Sequence, residues 1–118
     1  MGNFKELRVW QLAKNLSVNI YRLTQNQKFL KDFGLKDQIQ RASVSVPANI
    51  AEGDELGTNK QSVRHFYIAK GSVAELQTLL IISREINYID EPTLKLLDDD
   101  CIQISIMLTK LIKARSAE

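Results

Sequence analysis

The 118-residue chain has one cysteine, one histidine, one tryptophan and two prolines, and each scarcity removes a class of chemistry. Cys101 has no partner for an internal disulfide. With His65 as its single histidine, the chain cannot assemble a conventional histidine and cysteine zinc site, so neither metal nor cofactor is expected. Ser43, Ser45 and Ser72 are nucleophile types, but helical positions alone supply none of them with a base and an orienting third group. No catalytic residue is assigned, and the chain reads as a protein that is not an enzyme. The longest aliphatic run, Leu79 to Ile82, is far too short to cross a bilayer, so no membrane partner is expected. The start, Met-Gly-Asn-Phe-Lys-Glu, lacks the apolar core of a secretory signal, and a cytoplasmic location follows as the expectation. Glycines 53 and 57 bracket a turn, but the spacing of a phosphate-binding loop and a preceding strand are both missing. Asp98, Asp99 and Asp100 point in different directions on a helix and read as a solvated run.

What remains is a soluble globular composition, 44% hydrophobic and 25% charged, that fits one domain over residues 1–118. The net charge of +2 is uneven. Residues 1–48 hold eight Lys or Arg against three acids, whereas residues 49–118 hold eight against eleven. A basic first half suits nucleic acid or an acidic partner, or is a solvated surface.

Apolar spacing divides the chain into four helical patterns. The first opens at Asn3, with Glu6 completing a capping box, and carries Val9, Ala13, Leu16, Ile20 and Leu23 on one stripe; Trp10 and Tyr21 lie at its edge. A polar segment, Gln25 to Gly34, with Phe29 and Leu30 at its centre, ends in a turn at Gly34. The second helix begins near Leu35 and repeats Ile39, Ala42, Val46 and Ile50 around an internal Pro47. Thr58 and Gln61 cap a third helix, from about Asn59 to Asn87, whose seam is Phe66, Ala69, Val73, Leu76 and Leu80. Asp90, Glu91 and Pro92 restart the chain for a fourth, with Leu94, Leu97, Cys101, Ile104, Leu108 and Leu111. Cys101 sits in that seam as a small buried hydrophobe. The expected fold is all-α, an antiparallel up-and-down four-helix bundle.

Two helices carry more apolar surface than a small bundle needs. Ile68, Leu79, Ile82 and Ile86 form a second stripe on the third helix, and Ile102 and Ile106 face away from the seam of the fourth. These residues are the candidate oligomer interface, the alternative being that the third helix buries both stripes internally. On the second helix Gln38, Arg41, Ser45, Asn49 and Glu52 fall within about 80° of one another. This polar seam is expected to meet the third helix, with Arg41 on Glu75 and Ser72 completing the hydrogen bonds. Pro47 is expected on the outer side with Lys36, Gln40 and Ser43.

The segment Gln-Ile-Gln-Arg-Ala-Ser-Val-Ser-Val-Pro-Ala-Asn-Ile-Ala-Glu-Gly, the earlier Phe-Lys-Glu-Leu-Arg-Val-Trp and the later Ile-Ala-Lys-Gly-Ser-Val-Ala-Glu-Leu resemble the bacterial four-helix-bundle proteins encoded in 23S rRNA intervening sequences. The resemblance runs over nearly the whole chain. It implies a protomer that assembles as a homopentamer. That family is similar to the accessory variability protein of diversity-generating retroelements, a basic pentameric barrel that binds nucleic acid and its reverse transcriptase. The carry-over is partial: basic positions available here include Lys5, Arg8, Lys14, Arg22, Lys36 and Arg41, but the acidic second half departs from a strongly cationic barrel. The resulting expectation is a non-catalytic oligomeric adaptor for structured RNA or DNA, with or without a protein partner. The alternative is a structural or protein-partner module without nucleic-acid affinity. A hydrolase using Glu75, Glu52 and Arg41 is set aside, because acid and base work needs convergent groups that the pattern does not show.

Overall fold

Four of the five α-helices among the described residues start at side chains that answer free backbone amides. In the computed structural model, which describes residues 3–56 and 58–116, a short 3₁₀ turn (Phe4–Glu6) leads into α1 (Arg8–Leu23), the single-turn α2 (Gln27–Leu30), α3 (Phe33–Glu55), α4 (Asn59–Glu85) and α5 (Glu91–Ser116). Asn26 accepts from Phe29 N at 3.1 Å, Asp32 from Leu35 N at 3.2 Å, Thr58 from Gln61 N at 3.3 Å and Asp90 from Thr93 N at 2.9 Å. Each satisfies an amide that the helix itself leaves free. Those bonds to Thr93 hold the Asp90 carboxyl below its ordinary range.

Several expected boundaries move. Asn3 makes no side-chain cap; its carbonyl accepts from Glu6 N and closes the 3₁₀ turn. Leu7 is extended, so α1 starts only at Arg8. This break lets Phe4 fold back edge-on to Trp10, with ring centroids 5.2 Å apart. The segment before α3 is also not a plain loop. Its one-turn α2 drops Phe29 into the core at 0% exposure, edge-on to Tyr88, and α3 begins at Phe33 with Gly34 inside its first turn. α4 stops at Glu85, and Asn87 takes φ 65° to turn the chain toward α5.

The four long helices form a ring of neighbours, α1–α3, α3–α4, α4–α5 and α5–α1. Polar contacts across the seams run in opposite directions along the chain: Ser45 meets Ser72 while Asn49 meets His65, and Gln77 meets Asp98 while Arg84 meets Glu91. Neighbours are therefore antiparallel. The molecule measures 46 × 21 × 20 Å, the length of its longest helices at about 1.5 Å per residue plus the turns.

The core is the set of stripes that the spacing marks: Val9, Ala13, Leu16 and Ile20 face Ile39, Val46, Ile50, Phe66, Leu76, Leu80, Ile104 and Leu108. Burial of each large aliphatic or aromatic side chain contributes about 1.5–3 kcal/mol relative to exposure. At the end of α5 the buried position is Ile112, and Leu111 packs only partly against the core.

Pro47 lies inside α3 and lacks the N–H that would bond the Ser43 carbonyl one turn earlier. Ser17 Oγ, from α1, donates to that carbonyl at 2.6 Å. Pro47 accordingly borders α1 and Ser43 is buried, which corrects the expected outward placement. A proline in mid-helix is best tolerated where another helix supplies the missing donor.

Candidate interaction surfaces

The polar seam of α3 forms, with different members. Ser45 Oγ and Ser72 Oγ are 2.8 Å apart, and Asn49 Nδ2 donates to Ser45 O at 2.9 Å and to its Oγ at 3.1 Å. His65 continues the chain of bonds. With Asn49 Nδ2 committed to Ser45, Asn49 Oδ1 accepts from His65 Nδ1 at 3.0 Å, and Glu52 Oε2 lies 3.3 Å from the same nitrogen. Sequence reasoning missed His65, yet its seven-residue spacing from Ser72 puts the two on one face of α4. Gln38, Arg41 and Glu75 are exposed, and no ion pair joins Arg41 to Glu75 among the described residues. The two serines close the seam with short side chains, leaving the guanidinium and the carboxylate in water, where neither is desolvated. Both imidazole contacts fall on Nδ1, and the Ser45 hydroxyl is bonded to Asn49 and Ser72. This geometry ties two helices together and sets no imidazole against a hydroxyl.

A second polar device closes the end of the bundle. Arg115, in the last turn of α5, donates to Asp54 Oδ1 at 2.8 Å and lies 5.5 Å from the centroid of the Phe66 ring. Asp54 is buried, and its Oδ2 has no hydrogen-bond partner. Close approach here depends on Gly53, where a Cβ would stand 2.7 Å from Phe66 Cε1. Cys101 is fully buried in the α5 seam. Burial, with Asp98 and Asp100 nearby, pushes its thiol up to about 12. Among the described residues no cluster of three or more His, Cys, Asp or Glu could hold a metal.

The antiparallel path redistributes charge. Lys5, Arg8, Lys14, Arg22, Lys36 and Arg41 are all without an ion-pair partner among the described residues, but they do not form one patch. Lys5 and Arg8 sit at the end where α1 starts, Lys14 and Arg22 on the outer side of α1, and Lys36 and Arg41 on different sides of α3. The start of α1 shares its end of the bundle with the finish of α3, the start of α4 and the finish of α5, so Lys60, Arg64, Lys110 and Lys113 lie at the same end as Lys5 and Arg8, together with Glu6, Glu52, Asp54 and Glu55. Arg8 and Lys110 line one cleft of about 430 Å³ with Leu7, Val9, Met107, Leu111 and Ala114. The opposite end is mixed: Asp32, Asp37, Glu85, Asp90, Glu91 and Asp98 to Asp100 stand among Arg22, Lys28, Lys31, Lys36, Arg84 and Lys95, with Lys28 and Asp90 lining one cleft and Arg22 and Asp100 another. Lys60, Arg64, Lys110 and Lys113 escaped the sequence reading because they lie in the acidic half; the signal available was the basic last turn of α5, which complements the helix dipole.

The apolar surplus also divides. Leu79, expected at the oligomer interface, is buried in the protomer core, because its side of α4 turns toward α3. Ile68, Ile82 and Ile86 are 43–45% exposed on the flank of α4 nearer α3, and Ile102 and Ile106 are 45% and 52% exposed on the outer side of α5. Exposed Tyr67 and Ile81 were not anticipated. Between α1 and α3 runs a groove of about 510 Å³ lined by Lys14, Ser17, Val18, Tyr21, Arg22, Gln25, Val44 and Pro47.

These features define a class, an all-helical bundle whose polar groups lock helices together and whose charged and apolar surfaces face outward. The 23S rRNA-intervening sequence protein family matches residues 5–110, and the chain belongs to that family. Its fold is similar to that of a protein of unknown function from the S23 ribosomal protein family of Bacteroides thetaiotaomicron. The two share 24% identity over 89% of this chain and 98% of that one, with a TM-score of 0.82. No curated protein sequence matches this chain. No helix among the described residues is long and apolar enough to cross a membrane.

Proposed function

We propose that this protein is a non-catalytic, self-assembling adaptor of the cytoplasm that binds structured RNA or DNA through the basic end of its bundle. The observation that carries this reading is the placement of six exposed cations, Lys5, Arg8, Lys60, Arg64, Lys110 and Lys113, from three helices and the leading turn at one end, against the exposed acids Glu6, Glu52 and Glu55. Arg8 and Lys110 flank a shared cleft there. Lysine ammonium and arginine guanidinium groups at a surface contact phosphates without reading base edges, so affinity comes from counterion release and carries little sequence preference. The exposed isoleucines support assembly, and the resemblance of the family to pentameric accessory proteins of retroelements supports a homopentamer with a polymerase-type protein partner. A ring of copies would present the basic ends together and multiply the weak electrostatic contacts.

Fluorescence anisotropy with a labelled RNA hairpin and a DNA duplex, at 50 and 200 mM salt, tests the proposal. If each binding unit neutralises about four phosphates, affinity falls roughly 100-fold between the two conditions. Arg8→Glu with Lys110→Glu, both at exposed positions, weakens binding at low salt and flattens the salt slope. Absence of binding at 50 mM salt, or binding indifferent to salt, overturns the reading. The exposed isoleucine patches then favour the alternative, an assembly module for protein partners alone.

A further inference from the structure

We infer that copies of this chain dock head to tail, the α1/α3 groove of one receiving the outer stripe of α4, Ile68–Glu75–Ile82, of the next. The inference rests on the self-assembly part of the proposal above and assigns it two unlike surfaces. The groove has apolar walls, with Val18, Tyr21 and Val44 each about 40% exposed, and basic edges at Lys14 and Arg22. No acid occurs between Leu7 and Lys31, so the α1 side of this face is wholly cationic.

The α4 stripe offers the opposite charge at its centre, with Arg64 on the same face one turn before Ile68. Glu75 is exposed and takes part in no ion pair within the protomer, and isoleucines stand seven residues to either side of it. Seven residues span about 10.5 Å of helix. Lys14 and Tyr21 of the groove are separated by the same seven residues. A single placement therefore sets Glu75 against Lys14 and an isoleucine against Tyr21 and Val18, with charge and apolar surface both matched. Groove against groove would oppose Lys14 and Arg22 to their own copies, a like-charge contact that works against symmetric pairing through this face. Because the two faces differ, each docking leaves one groove and one stripe open. Such a contact continues until a ring closes or a filament grows.

Mass measurement by light scattering on purified chains, with helicity and melting checked by circular dichroism, tests the pairing. The wild type should run as a multi-chain species. Tyr21→Glu blocks the groove and Ile82→Lys blocks the stripe, and each alone should fall to single-chain mass. Mixed one to one, the two variants should form a two-chain species, since one intact groove and one intact stripe remain between them. Lys14→Glu, at an exposed position that leaves the core untouched, should also dissociate the assembly, and adding Glu75→Lys in the same chain should restore it. A single-chain wild type removes the self-assembly reading and this inference together. A multi-chain wild type with a groove variant that stays assembled overturns head-to-tail docking alone and indicates symmetric contact through the stripe, Arg41 against Glu75. Variant mixtures that remain single-chain overturn it as well.

Discussion

Ser17→Ala isolates one bond whose purpose is readable only from two helices at once. The Ser17 hydroxyl donates at 2.6 Å to the Ser43 carbonyl, which Pro47 deprives of its helical donor, and Ser17 and Ser43 are 8% and 1% exposed. Removing the hydroxyl leaves a buried carbonyl unpaired, at a cost of about 1–3 kcal/mol. With a urea slope of about 2 kcal/mol per molar, a loss of about 2 kcal/mol lowers the unfolding midpoint by about 1 M without changing the slope. Pro47→Ala restores an N–H aimed at the same carbonyl, so in that background Ser17→Ala should cost less than about 1 kcal/mol. The double-mutant cycle then shows a coupling of about 1 kcal/mol or more, beyond the roughly 0.3–0.5 kcal/mol scatter of independent sites. Urea titrations followed by circular dichroism at one fixed chain concentration measure it, because the stability of an assembling protein depends on concentration. Equal cost of Ser17→Ala in both backgrounds refutes the argument and makes the serine an ordinary buried hydroxyl.

Two further perturbations follow from close packing and burial. Gly53→Ala places a Cβ 2.7 Å from the Phe66 ring and 3.1 Å from Ser62 O and should destabilise by about 1–3 kcal/mol. Gly71→Ala, with nothing within 4 Å, should stabilise by about 0.5–1 kcal/mol, both read as midpoint shifts. Cys101, raised to about 12 by burial, holds its proton in the folded state after the unfolded chain has released it. Its contribution is complete below the ordinary thiol range near 9 and is lost as pH rises from there toward 12. Stability should fall by up to about 1 kcal/mol per pH unit in that window, Cys101→Ala should flatten the dependence, and thiol labelling at pH 9 should proceed no faster than unfolding.

The helical stripes were legible because burial on one side of a helix imposes its period on the sequence. Val9 to Ile20 and Leu97 to Leu108 need no partner to be recognised. Phe29 was not legible as core, since one aromatic in a four-residue helix has no period, although Asn26 and Asp32, each three residues before the amide it caps, marked both nearby starts. Ser45 and Ser72 could be placed on facing seams from the wheel, but the short reach of their hydroxyls, which leaves Arg41 and Glu75 outside, is a matter of interhelical distance. The basic end was hidden for a related reason. Lys110 and Lys113 neighbour Arg8 only after α5 has run back along the bundle, and a count along the chain averages them with the aspartates at the other end of their own helix.

Helix α3 is held by polar bonds on both flanks, Ser17 to the Ser43 carbonyl and Gln40 to Thr24 on the α1 side, Ser45 to Ser72 and Asn49 to His65 on the α4 side. A one-turn slide of α3 against either neighbour would part these groups while leaving apolar contact largely available, so the hydroxyls fix a register that the aliphatic core alone specifies weakly. Small side chains make that possible, because Ser43, Ser45, Ser72 and Gly53 let helix backbones approach where larger residues would hold them apart. With small groups occupying these positions along the inner seams, Val44, Ile68 and Ile82 remain on the outer flanks, partly in water. The polar stretch around Pro47 thus does two connected things: it locks the protomer, and by locking it with small polar residues it leaves apolar surface available for another molecule.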